Sequence, residues 1–96
     1  MRRRMRHKLP HLPWERAELQ SSGLYKQNLE VIARKCPALS TMELRVCALV
    51  KAMLSSAEIA ELLCIDERTV ENHRTHARRK MKIRHGKPLT HYLAML

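Results

Sequence analysis

Apolar residues recur at helical spacing just past the middle of the chain. Ile59, Leu62 and Leu63 fall on one face of a helix. Ser55 and Glu58, three residues apart, form the pattern of a capping box, in which the serine hydroxyl and the glutamate each satisfy a backbone amide at the helix start. The sequence therefore predicts a short amphipathic helix that begins beside Ser55.

A second helix is predicted after a tight turn. Asp66 suits the N-cap, and the charge of Glu67 suits the positive end of the helix dipole. Along this helix, Val70, Ala77 and Met81 form a narrow apolar stripe. Two short helices joined by a tight turn are typical of a helix-turn-helix.

The opposite face of the second helix is polar. Its side chains are Arg68, Glu71, Asn72, Thr75, Arg79 and Lys82. Arginine can bond guanine, asparagine can bond adenine, glutamate can accept from cytosine, and a threonine methyl can contact thymine. Alternatively, this polar face is simply the solvated side of an ordinary amphipathic helix. The tight turn and the capped preceding helix favour a face that contacts DNA bases.

Two further helices flank this pair. Ser40 and Glu43 form a second capping box, and the apolar residues that follow predict a helix over about 41–52. After Pro88, apolar residues repeat at i, i+3, i+4 and i+7: Leu89, Tyr92, Leu93 and Leu96. We expect this stripe to serve both the core and a homodimer contact. The predicted fold is all-α, a four-helix domain over 39–96.

Residues 1–38 are predicted to be a basic tail and a helical extension or linker. WERAELQ (14–20) and LYKQNLEVIARK (24–35) both read as short helices. The apolar side chains available to pack the second of these on the domain, or on a second copy, are Leu24, Leu29 and Ile32. The basic opening is either a minor-groove or phosphate arm or a solvated tail.

Positive charge is concentrated in two segments. The net charge is +10, and of 19 lysines and arginines, five lie in residues 1–8 and eight between Arg68 and Lys87. This distribution indicates a polyanionic partner, with nucleic acid first. A membrane surface is less suitable, because the basic helix lacks the large apolar face of an interfacial helix. No transmembrane or signal segment is found, so we expect a cytoplasmic protein.

Cysteine and histidine give little indication of metal binding. We expect Cys47 and Cys64 to be small buried hydrophobic residues in a reducing compartment. Cys64, His73 and His76 can be imagined as a zinc site, but no CxxC motif or fourth ligand accompanies them. No nucleophile–base pair, carboxylate dyad or glycine-rich phosphate loop is present, so we expect neither a cofactor nor an enzymatic activity.

Together these segments resemble the LuxR-type helix-turn-helix, found at the C-terminus of NarL-like response regulators and quorum-sensing regulators. The matching text is LSTMELRVCALV at 39–50, SSAEIAELLCIDERTVENHR at 55–74 and RRKMKI at 78–83. The resemblance implies sequence-specific binding of double-stranded DNA by a bacterial transcription regulator, with the helix over about 67–81 in the major groove. We also expect the chain to be part of a longer regulator.

The resemblance also implies roles for individual residues. The residues implied to face base edges are Glu71, Asn72 and Thr75. Those implied to contact the DNA backbone or nearby bases are Thr69, His73 and Arg79. Those implied to meet a phosphate are Ser55 and Ser56, and those implied to form a homodimer contact are Leu89, Tyr92 and Leu93.

Two positions depart from the family pattern. Glycine is usual where Met53 stands, and a left-handed residue there carries strain of about 1 kcal/mol, so we expect that corner to be rebuilt or slightly opened. Many members have lysine where Glu71 stands. Glutamate weakens the attraction to phosphate and favours a cytosine readout.

Two other functions stay open. One is a protein-interaction module, in which the helix-turn-helix docks on RNA polymerase or another regulator through the stripe at 89–96. The other is binding of structured RNA through the basic helix and tail. Single-stranded nucleic acid is less suitable, because the chain has no Phe, one Trp and two Tyr with which to stack bases.

Overall fold

The computed structural model describes residues 23–84 and 86–96, which form five α-helices and no strand. The helices are α1 (Gly23–Lys35), α2 (Thr41–Lys51), α3 (Ser56–Leu63), α4 (Glu67–Lys80) and α5 (Leu89–Ala94). The all-α prediction, with a helical extension before a four-helix domain, is confirmed. The predicted helix at 14–20 and the basic opening lie outside the described residues.

Serine residues begin two of these helices as predicted. Ser40 Oγ accepts from the Glu43 amide at 3.1 Å, and Glu43 Oε1 accepts from the Ser40 amide at 2.9 Å. Ser55 and Glu58 repeat the arrangement at 3.1 and 2.8 Å, which confirms both capping boxes. Asp66 is the N-cap of α4 but makes no side-chain capping bond. Its carboxylate therefore acts on the helix start through charge alone.

Helix α2 lies at the centre of the fold, because the other four helices all pack against it. Residues 46–50 are fully buried in succession, which requires neighbours on every side of the helix. The remaining fully buried apolar side chains come from all four surrounding helices: Ile32, Ile59, Val70, Ala77 and Leu93. Apart from Tyr25, the large side chains of the buried core are aliphatic.

Helix α1 packs on α2 of the same chain. Tyr25, Asn28 and Ile32 line its buried face, and Asn28 Nδ2 donates to the buried Ala48 carbonyl at 3.2 Å. This bond gives the buried Asn28 amide a hydrogen-bond partner, and burying it without one would destabilise the fold. Leu24, one of the side chains available for packing, is 54% exposed because it lies about a quarter-turn from the centre of that face.

The corner after α2 keeps a left-handed residue. Met53 has φ 74° and is 77% exposed, and two hydrogen bonds close the turn: Met53 N to Val50 O at 2.8 Å and Leu54 N to Leu49 O at 3.1 Å. The expectation of a rebuilt or opened corner is therefore wrong. These bonds, together with the packing of Leu54 on the core, offset the strain of a non-glycine residue.

Cys64 ends α3 in the same left-handed conformation, with φ 58°. Ile65, the next residue, donates to Ala60 O at 3.0 Å and packs against the core, whereas the Cys64 side chain is exposed. The prediction that Cys64 is buried is wrong, because this turn directs Ile65 inwards instead. The matching prediction for Cys47, which is fully buried, is confirmed.

Candidate nucleic-acid interface

Helix α4 is anchored along one side and open along the other. Val70 and Ala77 are fully buried, and Met81, just beyond the helix, packs partly against the core. These are the residues of the predicted apolar stripe. Three residues separate the end of α3 from the start of α4, so the pair has the tight connection of a helix-turn-helix.

The side chains predicted to read bases lie on the open side of α4. The exposed members are Arg68, Glu71, Asn72, Thr75 and Arg79. Thr69 and His73 are half-buried, on the flank of α4 that turns towards the protein. A duplex approaching the open side of α4 would meet the first group directly and the second group at its margin.

Lys82 is the exception among the predicted outer-face residues. Helix α4 ends at Lys80, and Lys82 adopts the left-handed conformation with φ 58°. Lys82 N donates to Arg79 O and Ile83 N to Arg78 O, each at 3.1 Å. Lys82 is exposed, but it lies beyond the helix because Ile83 returns to the core. Its assignment to the outer face of the helix is therefore wrong.

A buried carboxylate fixes the last turns of α4 to the start of α2. Glu43 is 6% exposed, and its Oε1 lies 2.8 Å from Lys80 Nζ. Lys80 Nζ also donates to the Ala38 carbonyl at 3.2 Å. His76 Nδ1 lies 3.9 Å from the other carboxylate oxygen, Oε2. Helix α4 is thus positioned by polar contacts as well as by its apolar stripe.

Sequence reasoning missed this arrangement because it used Glu43 only as a capping residue. His76 and Lys80 stand four residues apart and so share one side of α4. His76 and Lys80 lie on the flank of α4, between its buried stripe and its exposed face. This pairing was a signal that an acidic side chain of another helix contacts them.

Arg78 also has a structural role. Its guanidinium donates to the carbonyl oxygen of Lys87, in the segment that connects α4 to α5. Lys51 Nζ donates to the Leu93 carbonyl at 3.1 Å and ties the end of α2 to α5. These bonds fix α5 to the end of α2 and the connecting segment to α4.

The two serines predicted to meet a phosphate differ in accessibility. Ser55 is exposed, and its Oγ accepts the capping bond while the hydroxyl can still donate outwards. Ser56 is buried. The start of α3 therefore offers the hydroxyl of Ser55 rather than that of Ser56.

The residues predicted as a dimer contact also differ. Leu89 and Leu93 are buried in the core of the chain, and Tyr92 is half-buried. The two leucines cannot offer side-chain surface to a second copy without leaving the core. Among the three, only Tyr92 has surface for such a contact.

Charge is distributed unevenly along α4. Its N-terminal end carries three acids: Asp66, Glu67 and Glu71. The lysines and arginines of its last turns and of the segment that follows are Arg74, Arg78, Arg79, Lys80, Lys82, Arg84 and Lys87. The electrostatic attraction for a polyanion is therefore strongest at the C-terminal end of α4.

Other kinds of site find little support in the described part of the chain. Within residues 23–84 and 86–96, no group of three or more histidine, cysteine, aspartate or glutamate side chains could hold a metal ion. No described helix is both long enough and apolar enough to cross a membrane.

Comparison with known proteins agrees with this geometry. The family model described as "Bacterial regulatory proteins, luxR family" matches residues 37–93, which span α2 to α5 except for the last residue of α5. No curated protein and no solved structure matches the chain. The matched region covers more than half of the sequence and contains the whole helix-turn-helix. The chain belongs to the LuxR family of bacterial regulatory proteins.

Proposed function

We propose that the chain binds double-stranded DNA in a sequence-specific manner as part of a bacterial transcription regulator, with α4 in the major groove. The observation that carries the proposal is the exposed row of Arg68, Asn72, Thr75 and Arg79 on α4. The opposite side of the helix is buried in the core through Val70, so the helix backbone that carries this row is held in a fixed position. A rigid helix with such a face suits base reading.

We assign separate roles to the side chains of this face. Asn72 would bond adenine, and Glu71 would accept from the amino group of cytosine. Thr75 would contact the methyl group of thymine. Arg68 would bond guanine, whereas Arg79, at the basic end of α4, would contact a phosphate.

The flanking groups would position the duplex. Thr69 and His73, half-buried beside the open face, would meet the DNA backbone. Ser55, the exposed cap of α3, would bond a phosphate beside the helix N-terminus, where the backbone amides favour an anion. Ser56 would contribute only its backbone amide.

We further propose that two copies bind a two-fold symmetric site through a contact made by α5. Leu89 and Leu93 would hold α5 in position from inside the core. Tyr92, with the 76% exposed Met95, would supply the contact surface. The bacterial chromosome lies in the cytoplasm, which is where this function would operate, and we assign the protein no catalytic step.

A protein-interaction module is the second candidate. It is favoured by the exposed methionines Met53 and Met95, since methionine is common at adaptable binding surfaces. In this role the ends of α2 and α5, joined by the Lys51 to Leu93 hydrogen bond, would dock on RNA polymerase or another regulator. Charge reversal at Arg79 would then change little.

Selection from random DNA tests the proposed function. The full chain is incubated with a pool of random duplexes at about 150 mM salt, where screening already weakens bare phosphate attraction, and the retained DNA is sequenced over several rounds. We expect a two-fold symmetric motif with half-sites about one helical turn apart. Retention without any enriched sequence would contradict sequence-specific binding and favour the interaction module.

A further inference from the structure

We propose that the C-terminal end of α1 is part of the DNA-contacting surface, with Arg34 and Lys35 binding backbone phosphates beside those met by the end of α4. The inference rests on the proposed function and extends it. Helix α1 lies outside the matched residues 37–93, so membership of the family assigns it no role.

The end of α1 lies against the last turn of α4. The thiol of Cys36, the residue that follows α1, lies 3.9 Å from the carbonyl oxygen of Lys80. Lys80 Nζ reaches back and donates to the Ala38 carbonyl at 3.2 Å. The Cys36 amide donates to Ile32 O at 2.8 Å, so the helical hydrogen bonding of α1 continues to this point of contact. Arg34 and Lys35 directly precede Cys36, so they lie at the end of α1 that is nearest to the basic end of α4.

This end of α1 is held firmly. Tyr25, Asn28 and Ile32 are buried against α2, and the amide of Asn28 bonds a buried carbonyl of that helix. Cys36 is itself buried at the junction. The basic side chains thus extend from a packed scaffold, which reduces the entropy lost when they bind a phosphate.

The local charge is strongly positive. Arg34 and Lys35 are exposed and form no ion pair with any described carboxylate. At the neighbouring end of α4, the exposed basic residues other than the paired Lys80 are Arg79, Lys82 and Arg84. The acid at this junction, Glu43, is buried and paired with Lys80. Glu30, one turn earlier on α1, is the nearest acid along that helix. The junction therefore presents a net positive surface.

The N-terminal end of α4 is acidic, which directs the DNA backbone towards the other end of the helix. Asp66, Glu67 and Glu71 outnumber the one basic residue there, Arg68, so the duplex backbone is attracted mainly to the C-terminal half of α4. A backbone that follows this half reaches the junction with α1. Basic side chains at the junction would add phosphate contacts, which raise affinity without reading sequence.

Salt-dependent binding of single variants tests the inference. Fluorescence anisotropy measures the affinity of the full chain for the duplex enriched by selection, or for one random duplex where none is enriched, across a series of salt concentrations. The variants are Arg34→Gln, Lys35→Gln and, as a matched control, Lys26→Gln at the exposed first turn of α1, about 13 Å from Lys35 along the helix. Thermal unfolding followed by circular dichroism verifies that each variant is folded.

We expect Arg34→Gln and Lys35→Gln each to make the slope of log affinity against log salt shallower by about 0.9, the value for one lost phosphate contact. Lys26→Gln should leave the slope of the parent unchanged. An equal slope for the parent and both junction variants would overturn the inference. An equal reduction in Lys26→Gln would also overturn it, because the effect would then be one of net charge alone.

Failure of this inference differs from failure of the proposed function. If the parent enriches a symmetric motif and the junction variants keep its slope, the base-reading role of α4 stands and that of α1 falls. If the parent binds duplexes without enrichment while the junction variants still reduce the slope, phosphate binding at the junction stands and sequence reading falls. Competition by transfer RNA as strong as by duplex DNA would identify RNA as the ligand and overturn both.

Discussion

Lys80 on the last turn of α4 lies 2.8 Å from the buried carboxylate of Glu43 on the first turn of α2. Burial alone would raise the pKa of this carboxyl. The hydrogen bond from Lys80, the bonds from Ser40 and the positive charge of Lys80 together lower the pKa below its ordinary value of 4.5. The lowered pKa means that folding favours the ionised carboxylate.

The contribution of this carboxylate to stability depends on pH. Because the pKa is lower in the folded than in the unfolded chain, the stabilisation is fully present above the ordinary glutamate pKa. It is lost as the pH falls through the lowered folded pKa. Acid should therefore loosen the attachment of α4 to α2.

Glu43→Gln should lower the free energy of unfolding by about 1 to 3 kcal/mol at pH 7, because Lys80 loses its charged partner. The loss of stability between pH 7 and pH 4 should also become smaller than in the parent. Urea unfolding at the two pH values measures both effects. Glu30→Gln, at an exposed position of α1, is the control and should change neither. An unaltered unfolding energy for Glu43→Gln at pH 7 would contradict the assigned role of the ion pair.

Met53→Gly should raise the free energy of unfolding by about 0.5 to 1 kcal/mol. Glycine adopts the left-handed conformation without strain, and the exposed methionine side chain contributes little burial. Met95→Gly is a matched control, since Met95 is equally exposed but has an ordinary φ of −88°. Thermal and urea unfolding compare the two. A gain of the same size in both variants would exclude backbone strain as the cause.

The cysteines should differ in reactivity. Burial, with a smaller contribution from the charge of Glu43, raises the pKa of Cys47 to about 12, so its thiolate is scarce at neutral pH. Cys64 is exposed. Brief treatment of the folded chain with iodoacetamide should label Cys64 and leave Cys47 unlabelled, as read by peptide mass spectrometry. Urea should make both reactive, and equal labelling in the folded chain would contradict the burial of Cys47.

Arg79→Ala should weaken binding to the enriched duplex and to a scrambled duplex by similar factors. A phosphate contact carries no sequence information, so its loss should also make the salt slope shallower by about 0.9. Anisotropy titrations at several salt concentrations measure both. A loss confined to the enriched duplex would instead identify Arg79 as a base-reading residue.

Local signals explain why much of the fold could be predicted from the sequence. The capping boxes at Ser40 and Ser55 join residues three apart, so the local sequence is enough to predict them. The spacing of Val70 and Ala77 likewise fixes the buried side of α4, and with it the side left open. These two kinds of pattern were sufficient to place the helix-turn-helix and its exposed face.

The remaining features depend on packing between distant parts of the chain. Whether Met53 and Cys64 keep left-handed turns depends on how Leu54 and Ile65 pack against the core, which the local sequence does not determine. The partner of Glu43 lies 37 residues away on α4. The docking of α1, likewise, depends on a buried contact with α2 rather than on any motif.

A selection repeated with Asn72→Ala tests the reading of bases by α4 most directly. The parent and the variant are taken through the same random-duplex selection, and the enriched motifs are compared position by position. We expect the variant to retain the motif and its spacing but to lose preference at one base pair in each half-site, a change of about 1 to 3 kcal/mol. An unchanged preference at every position would contradict the placement of α4 in the major groove.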